Sequence, residues 1–288
     1  YGYTPSDFNM YTNLTQKELD SVLIDNKDVE DIYPVTPMQS GLIFQHLYKP
    51  ESDAYIVQSV SILENVDIDC FKQSWQKLIS RHGSLKACFL YKGLRDFIQL
   101  INKDLVLFWT EEDIQNLDIK QQNNKLDNFV IKDRNKGFDI QKVPLMRFHL
   151  FKISSGKYYF VWSHHHLILD GWCISIVIEE LYAIYSSLIR NEALKLKSRK
   201  SYREYIQWLN KQNQEVAEQY WRNELLGVEP TKLSLNNKIE GNYYEKTIEI
   251  DKKQTNVLKE LAKKIGVTLN TIVQAVWVLM LAQETRQK

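Results

Sequence analysis

Cysteine is scarce in this sequence, and the few cysteines are not arranged for cross-linking or metal binding. The 288 residues contain three, Cys70, Cys88 and Cys173, with no CxxC spacing between them. An odd number of widely spaced cysteines argues against both a disulfide-stapled scaffold and a structural zinc site. The sequence therefore predicts a protein of a reducing compartment, and we expect a cytoplasmic location.

An excess of charge and a long apolar run are also missing. Lys and Arg number 37 against 36 Asp and Glu, which gives a formal net charge of +1 without a long run of either sign. This balance indicates no surface for nucleic acid or anionic lipid. The apolar stretch 269–282 is too short and too interrupted to span a bilayer, and residues 1–8 lack the basic and apolar regions of a signal peptide. We expect a globular protein without nucleic-acid or membrane partners.

Hydrophobic residues make up 44% of the chain, which is enough for a substantial core in one large or two ordinary domains. Helical spacing is clear after Asp67 and after Gly171, and strand alternation is clear over 145–153 and 158–164. Because helices and strands do not alternate as regular βα units, the pattern predicts a mixed α/β (α+β) fold with helices packed on a mixed sheet. Less regular segments predict strands over 105–110 and 243–250 and a polar helix over 114–135.

Local signals mark several helix ends. Thr15 and Glu18 have the spacing of a capping box before a short helix. Asp67 is predicted to cap the helix that follows it, and Gly266 is predicted as the C-cap of a helix over 255–265.

The most informative segment is SHHHLILDGW, residues 163–172. Alternate strand residues face opposite sides of a sheet, so we expect His164 and His166 on one face and His165 on the other. Asp170 is expected to cap the helix that begins at Gly171 and so to fix the turn. Glycine at this position is expected to permit a turn that a side chain would obstruct and to leave its amide exposed at the helix start.

Three interpretations of these histidines compete. They are core and turn residues without chemistry, or His164 and His166 bind a metal with Asp170 as a third ligand, or one histidine is an acid–base catalyst. The metal interpretation is weakened because Gly171 stands where a further ligand would help and no cysteine is well placed, and we predict no metal. The sequence has no GxSxG, P-loop, GxGxxG or HExxH motif. A histidine base without a protein nucleophile favours direct transfer between two bound substrates.

The pattern HHxxxDG at His165–Gly171 resembles the signature of condensation domains of nonribosomal peptide synthetases and of their chloramphenicol-acetyltransferase-like relatives. Three further segments resemble the other motifs of this family in the same order along the chain: 31–47 resembles the first motif, 81–89 the second and 201–208 the fourth. The resemblance implies a chloramphenicol-acetyltransferase-like fold of two lobes with the reaction tunnel between them. It divides this chain into an interdomain linker with a short helix (1–27), an N-terminal lobe (28–225), and a linker with the start of an incomplete second lobe (226–288).

The resemblance also implies a reaction. Two substrates carried as 4'-phosphopantetheine thioesters on donor and acceptor peptidyl carrier domains would be joined by a peptide bond, with no cofactor bound by the chain itself. His166 would accept the proton of the attacking amine or steady the tetrahedral intermediate, and His165, Asp170 and Gly171 would complete the motif. Arg81, Lys86 and Trp172 would support the site, with Lys86 replacing the family's arginine and pairing with Asp170. Residues 1–288 alone are expected to be inactive.

Finer features point to a subtype of this family. Thr36-Pro37-Met38-Gln39 and Asp170-Gly171-Trp172-Cys173 are similar to segments of condensation domains that follow an epimerisation domain and take a D-configured donor. Epimerisation and adenylation domains are therefore expected as neighbours in the same synthetase. Two alternatives stay open, a non-catalytic lobe that docks carrier domains and an acyltransferase of the same fold that uses coenzyme A.

Overall fold

The computed structural model describes residues 2–10, 13–26, 28–50, 52–229 and 247–285. The chain separates into two compact units, Tyr1–Gln212 and Asn213–Lys288. In the first unit the strands are β1 (Val29–Pro34), β2 (Ile56–Glu64), β3 (Ala87–Leu90), β4 (Ile98–Asn102), β5 (Trp109–Asp113), β6 (Met146–Ser154) and β7 (Lys157–His165). Its helices are α1 (Gln16–Asp25), α2 (Pro37–Tyr48), α3 (Ile68–Arg81), α4 (Ile119–Lys136), α5 (Gly171–Arg190) and α6 (Tyr202–Asn210). The predicted mixed α/β class is confirmed.

The larger sheet carries the histidine segment. Its strand order is β2-β7-β6-β5, antiparallel except for the parallel pair β5–β6. The predicted strand over 105–110 is wrong by several residues, since β5 begins at Trp109. Leu105 and Leu107 are buried outside any strand because the Gln76 side chain binds their backbone, at 2.7 Å to the Leu105 carbonyl and 3.3 Å from the Leu107 amide.

One face of this sheet packs on α3 and α5. The cap of α3 is Asp67, whose Oδ1 accepts from the Cys70 amide at 2.8 Å, as predicted. The helix then buries an apolar stripe at helical spacing. At its centre, the Trp75 ring lies 4.8 Å from the rings of Phe148 and Trp162. This aromatic cluster fixes the position of β7 and hence of the segment that follows it.

The opposite face of the sheet is covered by α4. Its cap is Asp118, so the helix begins at Ile119 and not at residue 114 as predicted. Ile114 is instead a buried apolar residue that joins Phe151 and Val161 in a small cluster beneath the helix. A cap with a strong local hydrogen bond sets the helix start more effectively than apolar spacing does.

A three-stranded sheet, β1-β4-β3, carries the N-terminal segment. The predicted capping box of α1 is confirmed, since the Thr15 amide donates to Glu18 at 2.9 Å and the Glu18 amide donates back to the Thr15 hydroxyl. Leu14 and Leu19 are buried against this sheet. The segment predicted as a linker is therefore also part of the packed first unit among its described residues.

The second unit contains α7 (Gln214–Glu224), α8 (Lys252–Ile265) and α9 (Leu269–Thr285). The predicted C-cap Gly266 has φ 74°, and the Thr268 hydroxyl accepts from the Thr271 amide at 3.1 Å at the start of α9. Residues 243–246 of the predicted strand lie outside the described residues, and 247–250 have no regular secondary structure. The structure separates its units after Gln212, and the predicted boundary after residue 225 stays a prediction.

By length and composition alone, α5 is long and apolar enough to cross a membrane. The pair α8 and α9 meets the same two criteria when taken together, although the two helices are bent by 97°. A core helix of a globular protein can also be this long and this apolar. In α5, Val177, Leu181 and Ile184 are buried against the first unit, as is the carboxylate-bearing Glu180. One face of α5 is therefore packed in the first unit, and the absence of a membrane partner stays a prediction.

Candidate active site

The histidine segment begins where β7 leaves the sheet. His165 is the last residue of the strand, paired with Ile56 of β2, and its amide donates to the Leu145 carbonyl at 3.0 Å. The next amide, that of His166, donates to the Tyr55 carbonyl at 2.8 Å. The Ile168 amide then closes a turn on the His165 carbonyl at 3.2 Å. The backbone of both motif histidines is therefore held by the sheet on either side.

The predicted alternation of side chains is confirmed for the two histidines that lie within the strand. The ring of His164 packs on Trp162, 4.7 Å between centroids, on the aromatic face of the sheet. The ring of His165 lies on the other face, near His46 at 5.7 Å and Phe138 at 6.4 Å. His166 lies one residue beyond the strand, so the direction of its side chain is set by the turn and not by the alternation of the strand.

His165 stabilises the turn. Its Nδ1 accepts a hydrogen bond from the Leu167 amide at 3.2 Å, which requires that nitrogen to be unprotonated. Burial, and then the neighbouring His46 and His166, lower the pKa of His165 to about 3. Burial, and then His166, lower the pKa of His164 to about 4. Both imidazoles are therefore neutral at physiological pH.

We expect acid to destabilise the first unit through these two residues. Below pH 6.5, the ordinary pKa of histidine, these two residues bind protons in the unfolded chain but not in the folded chain. The stability that they contribute is therefore complete above pH 6.5, and it is lost as the pH falls towards 4 for His164 and towards 3 for His165. Each contributes a loss of about 1.4 kcal/mol per pH unit. Urea unfolding at pH 6 and pH 5 measures this slope. His165→Gln should reduce the slope by about that amount per unit, and an unchanged slope would contradict the assignment.

His166 differs from its neighbours in being only half-buried, whereas His164 and His165 are buried. Its Nδ1 is buried without a hydrogen bond, as is the Nδ1 of His164, and the His166 side chain makes no hydrogen bond or ion pair with any described residue. A buried polar atom without a partner is uncommon and calls for an explanation, such as a catalytic role or a bound water. Of the three histidines, His166 is the one with side-chain surface open to a bound molecule.

The cap predicted at Asp170 is confirmed. Its Oδ1 accepts from the Cys173 amide at 2.9 Å, and α5 begins at Gly171. A hydrogen bond from the Cys173 thiol is the main cause that lowers the pKa of Asp170, and the amides of Cys173 and Trp172 contribute. The steric role predicted for Gly171 is wrong, because a Cβ atom there would meet nothing within 4 Å and its φ is not positive. The open space beside Gly171 leaves the start of α5 accessible.

The predicted ion pair between Lys86 and Asp170 is wrong. Lys86 is buried, and its ammonium donates to the Glu30 carboxylate and, at 2.9 Å, to the Lys103 carbonyl. Lys86 immediately precedes β3, so its side chain is placed among the ends of the three-stranded sheet and not at the start of α5. A buried ammonium requires such partners, because an unpaired buried charge is strongly destabilising.

Arg81 does not reach the histidines, but it holds the helix that follows them. Its Nε lies 3.1 Å from the carboxylate of Glu180, a residue that sequence reasoning missed. His82 and Arg199 bind the same carboxylate at 2.6 and 2.7 Å. Burial raises the pKa of Glu180, but the hydrogen bonds from His82 and Arg199 and the charge of Arg81 outweigh it, and the pKa is lowered. Glu180 thus joins α3, α5 and the segment after α5.

Trp172 was predicted to support the site, but its side chain is 87% exposed. Gln39, from a distant part of the chain, also contacts the histidine turn. Its Nε2 lies 3.3 Å from the Leu167 carbonyl and from the Tyr202 hydroxyl, and 3.4 Å from Gln99 Oε1. The first motif, the HHxxxDG motif and the fourth motif therefore meet around the Gln39 side chain. Gln39 belongs to the first motif, but the motif by itself did not indicate this contact.

We expect Gln39→Met to lower the free energy of unfolding by about 1–3 kcal/mol. The substitution keeps the length of the side chain but leaves the Leu167 carbonyl and the Gln99 side-chain oxygen without this donor. Gln45→Met on the exposed side of the same helix is the matched control and should change little. Thermal or urea unfolding of both variants measures the difference, and equal stability of the two would contradict the role assigned to Gln39.

Among the residues that the structure describes, no group of three or more His, Cys, Asp or Glu is arranged to hold a metal ion. His164 and His166 flank His165, and no third ligand joins them in the described part of the chain. The prediction that the chain binds no metal stays a prediction.

Comparison with known proteins agrees with the motifs. Residues 29–288 match the family model of the condensation domain. The chain is 36% identical over 289 residues to a component of the linear gramicidin synthase of Brevibacillus parabrevis, covering 98% of this chain and 4% of that protein. It is 38% identical over 290 residues to bacitracin synthase 3 of Bacillus licheniformis, again covering 98% of this chain and 4% of that protein. The chain thus spans a small part of the synthetases that it matches.

Solved structures show the same fold. The first condensation domain of the calcium-dependent antibiotic synthetase, in complex with a substrate analogue, superimposes with a TM-score of 0.70 at 16% identity, covering 88% of this chain and 62% of that one. The starter condensation domain of rhizomide synthetase superimposes with a TM-score of 0.61 at 16% identity, covering 71% of this chain and 52% of that one. With the predicted chloramphenicol-acetyltransferase-like architecture confirmed and the motifs in their expected order, the chain belongs to the condensation-domain family of nonribosomal peptide synthetases.

Proposed function

We propose that this chain contributes the histidine-bearing lobe of a domain that forms peptide bonds between carrier-bound thioesters. The observation that carries the proposal is His166, a half-buried imidazole without a partner at the end of β7 and beside the start of α5. The acceptor's α-amine attacks the donor carbonyl, a C–N bond forms, the C–S bond breaks, and the donor's pantetheine thiol leaves. The proton lost by the amine passes through His166 to that thiolate.

In this scheme, positioning of the acceptor amine contributes much of the rate. A free α-amine has a pKa near 8, so roughly one in ten is neutral at pH 7 and a strong base is unnecessary. An imidazole that hydrogen-bonds the amine and orients it towards the carbonyl supplies the larger part of the rate. The neutral His165, which binds the Leu167 amide, and the capped helix at Asp170 keep His166 in place for this purpose.

The substrates and neighbours follow from the same proposal. The donor is D-configured, as the segments 36–39 and 170–173 are similar to those of domains that follow an epimerisation domain. Donor and acceptor peptidyl carrier domains are the partners, epimerisation and adenylation domains are neighbours in the same synthetase, and the reaction takes place in the cytoplasm. In this scheme 28–225 is the N-terminal lobe, and 226–288 begins the second lobe.

The test supplies the synthetase module that contains this chain with a donor carrier loaded with a D- or an L-configured residue and a loaded acceptor carrier. Mass spectrometry follows the dipeptidyl thioester. We expect product from the D-configured donor and much less from its L-configured counterpart. Equal rates with both donors would overturn the subtype alone. Binding of carriers without product would favour the docking lobe, and turnover of a free acyl-coenzyme A would favour the acyltransferase.

A further inference from the structure

A cavity lies between α4 and strands β5, β6 and β7. It is on the face of the large sheet opposite to the Trp75 cluster. Its volume is about 410 Å³, within the range of small-molecule sites. Aromatic and aliphatic side chains form its walls, and polar groups lie at one end and at the rim. The lining residues that matter are Phe108, Phe129, Lys132, Lys136, His149 and Val161.

His149 gives this cavity a polar group without a partner. The residue is 7% exposed, and its ring stacks on Phe129 with 4.1 Å between centroids. Its Nδ1 lies 2.6 Å from the Thr110 hydroxyl, which is also 3.2 Å from the Phe148 carbonyl. Because the hydroxyl has one proton for these two contacts, the geometry is compatible with either tautomer of the imidazole. The Nε2 atom of His149 is buried and has no hydrogen bond.

The other charged groups that line the cavity are one ion pair and two lysines at the rim. Arg147 and Asp133 neutralise one another at 2.6 Å. Lys132 and Lys136, on the exposed side of α4, make no ion pair with any described residue. The cavity therefore offers an apolar interior, one inner nitrogen without a partner and a positive rim, and nothing in the proposed condensation step uses these residues.

We propose that this cavity binds a small organic acid whose apolar, ring-containing body carries a hydroxyl group. The body packs against Phe129 and Val161, the hydroxyl, which can donate or accept, reaches His149 Nε2, and the carboxylate lies near Lys132 and Lys136. A buried polar nitrogen discriminates strongly against a ligand that lacks the matching hydroxyl, because its own hydrogen bond then stays unmade. The site is separate from His166 and independent of the condensation reaction.

The experiment uses two probes that differ in the hydroxyl alone, 4-hydroxyphenylacetate and phenylacetate. Calorimetric titration of the chain should give a dissociation constant about 3–10-fold lower for the hydroxylated probe. The ¹⁵N resonance of His149 Nε2 should shift with that probe and not with phenylacetate. His149→Phe keeps the ring stacking and should abolish the difference between the probes.

The charge contribution is tested separately. Lys132→Gln with Lys136→Gln should weaken both probes about equally, while Lys120→Gln, on the same helix but outside the cavity lining, should change neither. The comparison of two probes on the unaltered chain remains valid if a variant fails to fold. Absence of saturable binding, equal affinity for the two probes on the unaltered chain, or binding that is insensitive to the lysine substitutions would overturn the proposal.

Discussion

Replacement of His166 by alanine is expected to reduce condensation about 10²–10⁴-fold while leaving the fold intact. The residue is only half-buried, its imidazole makes no hydrogen bond to a described residue, and its backbone amide stays bonded to the Tyr55 carbonyl. Little native structure therefore depends on the imidazole, and the loss should appear in turnover. Single-turnover formation of the dipeptidyl thioester, with thermal unfolding measured in parallel, checks both parts.

Two further variants separate the possible roles of the imidazole. His166→Gln retains hydrogen bonding without taking up a proton, so partial activity with a flattened pH profile would assign it to positioning. His165→Ala should instead lower stability more than turnover per folded molecule, because its Nδ1 holds the Leu167 amide in a buried setting. Wild-type turnover by His166→Ala would remove this residue from the reaction and, with it, the basis of the proposed function.

The largest loss of stability is expected from Trp75→Ala, which should cost about 3–5 kcal/mol. The indole is 1% exposed, and its ring lies within 4.8 Å of Phe148 and Trp162, so truncation leaves a cavity that rigid aromatic neighbours cannot fill. Trp75→Phe should cost much less, since the indole Nε1 has no hydrogen-bond partner to lose. Urea unfolding at pH 7 measures both variants.

The matched control is Trp172→Ala. This indole is 87% exposed, so its removal should change the free energy of unfolding by no more than about 0.5 kcal/mol. A cost for Trp75→Ala below about 1 kcal/mol would mean that the aromatic cluster relaxes around the gap, contrary to the close packing described here.

Local features were accessible from the sequence. The caps at Thr15, Asp67 and Asp170 depend on partners three residues away, and each forms its predicted hydrogen bond. The side-chain alternation of His164 and His165 likewise follows from the strand that contains them. The family was also identifiable, because its motifs are contiguous segments whose order is visible without coordinates.

The partners of charged and polar side chains were decided by the tertiary structure. Lys86 binds Glu30 and not Asp170 because sheet order, and not spacing along the chain, places Glu30 beside it. Gln39 binds the Leu167 carbonyl, which is 128 residues away in the chain. Glu180 forms ion pairs with Arg81 of α3 and with Arg199 of the segment after α5. Local sequence was thus sufficient to specify most elements, their caps and the family. The assembly of sheets and helices decided which buried charges pair and which histidine stays partly exposed, since the surrounding residues come from strands and helices far apart in the chain.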